Sequence, residues 1–362
     1  MEIYLPIVQV HIDVIFILFV SFAVGVLSGL FGVGGGFLMT PFLIFLGIPP
    51  IYAVPNEINN ILATSVSGSM THWFKNTLDY KMGLMIIIGG TVGTILGIIT
   101  FTFFEETGKL SIIISLFYMY LLAIIGTLML IQGASEIDAA RKKIILKKKL
   151  HSHYWIHGLP LKLRFPKSRL YESAFTPILL GIIVGFVAAL IGVGGAFLMV
   201  PAMIYLIGMP IKLIPGTSLF VTVFISALVT VLHAFKYSSI DLILVIVLVV
   251  GSIVGVQVGQ KIGQYLNSSH LKTLFAMLLC SVAIAIAYDT FFYEGVRKIK
   301  ETEIVSFENM NFFSKFIYKL SDSNPLLYGS LAILLAIILG IVGAGGRQLL
   351  SKYKHVFLIQ KK

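Results

Sequence analysis

The sequence predicts an all-α polytopic membrane protein: two inverted repeats of about five hydrophobic segments, the first two short or re-entrant, plus one C-terminal helix. Three observations predict it. Hydrophobic residues fill 57% and charged residues 12% of the 362 positions, and mean hydropathy is +0.97, whereas a soluble domain usually carries about 25% charged residues. A glycine motif occurs twice, as GVGGGFLMTP (Gly32–Pro41) and GVGGAFLMVP (Gly192–Pro201), with eight of ten positions identical at an offset of 160. Ten basic residues crowd into Arg141–Arg169, a polar interruption between two apolar halves.

The elements follow in order. Val14 to Asn56 contains no Lys, Arg, Asp or Glu, and the glycine motif divides it into apolar segments over 12–31 and 37–52. Segments over 57–74, 82–104 and 110–131 complete the first half. The second half has 175–191, 196–213, 216–235, 242–260 and 270–292, with one more over 326–345. The ordinary spans have the length that about 20 residues at 1.5 Å rise need to cross a bilayer. The domains are therefore 1–135 (first repeat), 136–172 (basic connector), 173–293 (second repeat), 294–325 (outer loop) and 326–362 (C-terminal helix and basic tail).

Two further matches extend the repeat. HWFK (His72–Lys75) matches HAFK (His233–Lys236), and the ladder Gly89, Gly93, Gly97 matches Gly251, Gly255, Gly259. Whether the glycine pair makes two full spans or a re-entrant hairpin, it adds an even number of crossings, so each half is odd. The second copy then enters from the opposite side, the inverted repeat of many secondary transporters. With the connector cytoplasmic, Lys and Arg divide as 20 inside and 7 outside, in line with the positive-inside rule. The N terminus is expected outside, the C terminus in the cytoplasm, and the protein in a plasma or inner membrane.

Composition excludes several functions. Cys280 is the only cysteine, so there is no intramolecular disulfide and no Cys-cluster metal site. No cleavable signal is expected, because the first Lys or Arg is Lys75 and a signal needs a basic leading region. The net charge of +11 lies mostly in the connector, which reads as a lipid-facing cytoplasmic segment; no nucleic-acid partner is expected. His151, His153 and His157 do not share a helical face, and no Cys or acid completes a ligand set. No metal or other cofactor is expected, nor an enzyme, since no nucleophile-base pair stands out.

Three readings compete for Gly32–Gly36. A phosphate loop would continue with Lys-Ser/Thr, but Phe37, Leu38 and Met39 follow. Helix packing through small residues suits the every-fourth-residue ladders better than these nearly adjacent glycines. Adjacent glycines unwind a helix, which a membrane tolerates only where protein or a water-filled cavity covers the backbone, and they expose N–H groups that favour an anion. A substrate site at Gly34, Gly35, Gly36, Gly194, Gly195 and Ala196 and a purely architectural turn both remain open.

Polar residues inside spans are costly and tend to face partners or a pathway. Asn56, Glu57, Asn59, Asn60, Thr64, Ser65, Ser67 and Ser69 form the richest set, while the second half offers Thr217 and Ser218 at the corresponding place. Substrate binding and interhelical hydrogen bonding are the alternatives. Glu57, His72 and His233 are candidates for coupling; Glu57 as an interfacial helix-start acid and the histidines as anchors are the competing readings.

The paired Gly-x-Gly-Gly segments, each followed by an apolar stretch and Pro, resemble the TauE/SafE sulfite exporter family, the TSUP transporters. Ile51–Gly83 and Ile214–Asp241 strengthen the resemblance, which covers both halves apart from the connector and the 293–322 loop. It implies a secondary transporter of a small sulfur-containing anion, sulfite or organosulfonate-like, working by alternating access. The partners expected are that anion and the lipid bilayer, with the oligomeric state undetermined. An ion channel and a non-transporting receptor or assembly factor are the alternatives.

Overall fold

In each half, two four-residue extended stretches precede the first apolar segment and fold as a β-hairpin in the computed structural model, which describes residues 2–31, 38–141, 161–210, 212–263, 268–292 and 312–359. Strands β1 (Glu2–Leu5) and β2 (Val10–Asp13) pair antiparallel, and β3 (Lys162–Phe165) and β4 (Leu170–Ser173) repeat them. Pro6 and Pro166 open the two turns, and Gln9 and Arg169 close them at φ 59° and 54°. The second hairpin falls where the sequence suggested only a basic connector.

Helices α1 (Val14–Phe31), α2 (Met39–Phe45), α3 (Pro50–Phe74), α4 (Tyr80–Glu106) and α5 (Leu110–Arg141) complete the first half. They are matched by α6 (Phe175–Ile191), α7 (Ala196–Tyr205), α8 (Ile214–Tyr237), α9 (Leu242–Gly263) and α10 (Ser268–Phe292). Local chemistry sets the ends. Pro50 starts α3, where a missing N–H is harmless, and Asp79 caps α4 by accepting from the Met82 N–H at 3.1 Å. Among the described residues, five helices are long and apolar enough to cross a membrane. α2 has seven residues and α7 ten; at 1.5 Å per residue they are about 10 and 15 Å long, short of a bilayer's roughly 30 Å.

These short helices share core clusters with the hairpin that opens their own half. Leu43, Ile44 and Ile48 pack in one cluster with Leu5 and Val8 of the first hairpin, and Met203 and Ile207 pack in another with Phe165 of the second.

The halves interlock about a pseudo-twofold axis. α1 lies along α9 and α6 along α4, while α3 pairs with α8 and α5 with α10. The glycine ladders make the first two contacts possible. A Cβ at Gly89 or Gly93 would collide with the carbonyl oxygen of Ile178 or Ile182 on α6, and one at Gly255 or Gly259 with that of Phe22 or Val26 on α1. The ladders are small-residue packing faces. Outward-facing Leu84, Ile88, Ile95, Ile99 on α4 and Ile112, Tyr120, Ile124, Leu128 on α5 are exposed, as the lipid side requires.

Each hairpin clasps the opposite half. The Ser168 N–H donates to Asp79 Oδ2 at 3.1 Å and the Ser168 hydroxyl donates to the same oxygen; the Ile7 N–H donates to Asp241 Oδ2 at 3.0 Å. Asp79 and Asp241 are equivalent, each starting the helix after α3 or α8, and Asp241 also accepts from the N–H groups of Ile243 and Leu244. Burial pushes the Asp241 carboxyl up to about 6, against the pull of those N–H donors.

Two helices lie outside the repeat. α11 (Phe312–Ser323) occupies part of the expected outer loop, held by reciprocal 3.3 Å bonds between Ser238 and Ser321. α12 (Pro325–Ile359) packs on α3, α8 and α9, where Gln257 Nε2 donates to Gly343 O at 3.0 Å.

Candidate substrate site at the helix breaks

The second break is built from backbone. Gly194 and Gly195 have φ of +70° and +75°, a region that costs a side-chain-bearing residue about 1 kcal/mol or more. Space is equally restrictive: a Cβ on Gly194 would lie 2.5 Å from Ile61 Cγ2, at the middle of α3. Ala196 spends its N–H on Gly194 O at 3.0 Å, and Gly195 O accepts from Leu198 and Met199 at 3.1 and 2.9 Å. The Tyr118 hydroxyl donates to Ile191 O at 2.8 Å, tying α5 to the end of α6. Thr40, at the start of α2, reaches Gly192 O at 3.5 Å, and Val54 of α3 lies against Gly192. The break of one half therefore rests on the short helix of the other. Gly34, Gly35 and Gly36 lie outside the described residues.

The polar residues of α3 separate by role. Asn56 is fully engaged: its Nδ2 donates to Tyr52 O and Ser239 O at 2.7 and 3.1 Å, and its Oδ1 accepts from the Asp241 N–H at 2.7 Å. Thr217, its repeat equivalent, accepts from the Asp79 N–H at 3.0 Å while donating to Leu213 O. These two residues hold the turns that carry the clasp aspartates. Ser218 donates to Pro215 O, and Thr64 donates back to Asn60 O and Ile61 O.

Glu57 and Asn60 belong to a different network. Asn60 Nδ2 lies 3.2 Å from both Glu57 carboxyl oxygens and 3.0 Å from Ser252 Oγ on α9, which is 2.8 Å from Ser21 Oγ on α1. All four residues are buried. Glu57 is thus interior, and the alternative of an exposed interfacial acid does not apply.

Several buried polar atoms have no partner among the described residues: both side-chain atoms of Asn59, Asn60 Oδ1, Ser65 Oγ, Ser226 Oγ, Thr230 Oγ1 and His233 Nδ1. Buried polar groups are nearly always satisfied, and each exception calls for water, a ligand or another cause. These sit on α3 and α8, the self-paired helices at the axis; other such atoms, among them Ser28 Oγ on α1, Thr94 Oγ1 on α4 and Thr176 Oγ1 on α6, lie elsewhere. Ser226, Thr230 and His233 follow i, i+4, i+7 spacing on one face of α8, and Ser65, Ser69 and His72 repeat it on α3 at an offset of 161. Sequence reasoning passed over Ser226 and Thr230; their repeat of the Ser65 and Ser69 spacing was the signal that could have found them.

The two histidines differ. His233 is fully buried, its Nε2 3.1 Å from Ala189 O near the break, and its ring meets Phe101 edge-on at 4.7 Å. His72 is partly exposed, with Nδ1 2.9 Å from Thr77 Oγ1. Among the described residues no group of three or more His, Cys, Asp or Glu could hold a metal.

Comparison with known proteins agrees with this architecture. Residues 17–286 match the family model described as sulfite exporter TauE/SafE. The chain is 30% identical over 212 residues to the probable membrane transporter protein YunE of Bacillus subtilis, covering 56% of this chain and 71% of the relative. It is 29% identical over 231 residues to the probable membrane transporter protein YjnA of the same organism, covering 63% and 82%. A probable membrane transporter protein of Xylella fastidiosa is 26% identical over 224 residues, covering 61% and 72%. No solved structure matches. With three quarters of its length inside the family match and the duplicated architecture described above, the chain belongs to the sulfite exporter TauE/SafE family of membrane transporters.

Proposed function

We propose that the protein is a secondary carrier of a small sulfur-containing oxyanion, sulfite or organosulfonate-like, working by alternating access. The observation that carries this reading is the set of buried, unpartnered hydroxyl, amide and imidazole groups on α3 and α8 beside the Gly192–Gly195 break. Hydroxyl and amide N–H groups stabilise an oxyanion by donation, and neutral donors hold it less tightly than an unopposed Lys or Arg would, which suits a site that must also release. Gly34, Gly35 and Gly36 would supply the first half's share of the site, as Gly194 and Gly195 supply the second's; the Ala196 N–H is already taken by Gly194 O. Asn59, Ser65, Ser226 and Thr230 supply side chains, Asn60 directs its N–H groups to Glu57 and Ser252 and borders the site through that network, while Asn56, Thr217, Thr64 and Ser218 act on the backbone around them. The two stripes related by the axis give alternate openings towards the two sides. No chemical change of the substrate is part of this reading.

The test is uptake of labelled sulfite, thiosulfate, sulfate and a sulfonate into proteoliposomes. Saturable flux of at least one anion is expected; absence of flux for all four overturns the assignment, and conduction without saturation points to the channel reading instead. The orientation proposed is N terminus outside and C terminus cytoplasmic in the plasma or inner membrane. Single cysteines at Glu2 and Ser152, in a chain lacking Cys280, should label from opposite sides; equal labelling from outside refutes it.

A further inference from the structure

The pseudo-twofold axis supplies an internal control for every buried polar group, because the same packing has been built twice. Across it, Asn60 becomes Val221, Ser21 becomes Gly181, Ser252 becomes Gly90 and Glu57 becomes Ser218. At the mirrored position, Gly181 and Gly90 bring the backbones of α6 and α4 together, so closely that a Cβ on Gly181 would lie 2.8 Å from Gly90 N. The fold therefore closes this contact without a polar side chain. The Glu57, Asn60, Ser252 and Ser21 network is an addition to one half, and architecture does not account for it.

Its centre is a fully buried carboxyl with no ion pair among the described residues. The surroundings supply neutral groups: Asn60 Nδ2 3.2 Å from both carboxyl oxygens, then the hydroxyls of Ser252 and Ser21. Tyr118 on α5 is near enough to interact electrostatically with Glu57, and its hydroxyl donates to Ile191 O. Of the other elements packed on α3, α8 carries His233, engaged at Ala189 O, with an exposed Lys236 and Tyr237, which donates to Thr102, at its far end, and α12 carries Tyr328, whose hydroxyl accepts from the Leu242 N–H. The basic residues of α12 begin at Arg347, α9 has only Lys261 near its end, and α2 and α6 have no titratable side chain. An ionised carboxylate without a cation is costly in such a place, whereas a carboxylic acid is not. The adjacent Asn60 Oδ1 and Asn59 amide, buried and unpartnered, give a proton or a relaying water somewhere to go.

We propose that Glu57 is a proton-binding coupling site, whose carboxyl takes up one proton and releases it once in each transport cycle. No co-reactant is needed: the carboxylate plus a proton gives the acid, and the reverse step returns the proton to the opposite side. A sodium ion is disfavoured by the Asn60 N–H donors aimed at the carboxyl. The proposal rests on the chain being a carrier, and the experiment separates the two.

Purified protein is reconstituted with a pH dye inside the vesicles and labelled thiosulfate as the probe, with the other anions of the panel as alternates. Wild type should move protons when the probe is added and should accumulate it under an imposed pH gradient. Glu57→Gln, which keeps the shape and an acceptor but cannot titrate, should lose gradient-driven accumulation and proton movement while still exchanging labelled for unlabelled probe. Gradient-driven accumulation surviving in E57Q, or a wild-type dependence on sodium in place of pH, overturns the proposal. Should E57Q not fold, Ser252→Ala should shift the pH midpoint of flux, and an unshifted profile counts against it. An infrared difference spectrum between wild type and E57Q at neutral pH decides independently of transport. A protonated carboxylic acid band assignable to Glu57 supports the site even if no panel anion is carried, and a carboxylate band in its place overturns it.

Discussion

Replacing Asp79 by Ala should release the clasp between the halves at one face of the membrane. Asp79 and Ser168 are both buried, and three donors lose their acceptor: the Ser168 N–H at 3.1 Å, the Ser168 hydroxyl, and the Met82 N–H at 3.1 Å that caps α4. A hydrogen bond to a charged group contributes about 1.5–3 kcal/mol and an N-cap about 1 kcal/mol. With partial replacement by water, the loss comes to roughly 3–5 kcal/mol. For a chain of 362 residues the entropy of unfolding is about 0.8 kcal/mol per degree, so the melting temperature should fall by about 5 °C. Asp79→Asn, which keeps one acceptor oxygen, should fall less. Asp241→Ala removes the acceptor of Ile7, Ile243 and Leu244 and should cost a similar amount. Because the clasps sit at opposite ends, the double variant should show the sum. Thermal unfolding in detergent, followed by loss of the monodisperse peak, measures all four. A D79A melting temperature indistinguishable from wild type would show that the clasp does not hold the halves together.

Further outcomes follow from the packing. Gly93→Val should prevent folding, since even its Cβ collides with Ile182 O, while Gly345→Ala, where nothing lies within 4 Å, should express as wild type; size-exclusion yield compares them. Gly194→Leu should abolish saturable anion uptake by filling the space against Ile61, and unchanged uptake by well-folded protein would remove the break from the site. Tyr118→Phe frees Ile191 O from its only side-chain donor among the described residues and should destabilise by about 1–2 kcal/mol, measured by the same melting assay. Asp241 holds its proton up to about pH 6 when folded but releases it near 3.9 when unfolded. The folded state therefore binds more protons between these values, and stability should decline as pH rises from about 4 to 6 and then level off. In Asp241→Asn that slope should vanish.

The duplication was legible because the glycine motif and the ladders answer to backbone conformation and close packing in both copies, and the HxFK ends fall at a matching offset. The hairpins were not: EIYL and VHID share almost no identity with KLRF and LYES, since a four-residue strand is held by its ladder bonds and not by its side chains. Their one common sequence mark is the proline at 6 and 166. Asn56 and Thr217 looked like ligands because polarity in a span signals either binding or bonding, and only the distances to Asp241 N and Asp79 N distinguish the two. The Glu57 network was invisible for a simpler reason: Ser252 lies 192 residues from Asn60, and a lone serine in a helix carries no signal until its neighbour is known.

The crossed clasps also constrain how such a chain is made and where it came from. As the first half leaves the ribosome, Asp79 waits for a serine 89 residues further along the chain, and Ile7 waits for Asp241, 234 residues further along. Neither half can finish alone. A single half expressed by itself would satisfy its aspartate only with the hairpin of a second copy inserted the other way up. The ancestor implied by this geometry is a gene product that entered the membrane in both orientations and paired with its own inverse, the exchange of hairpins becoming internal once the two copies were fused.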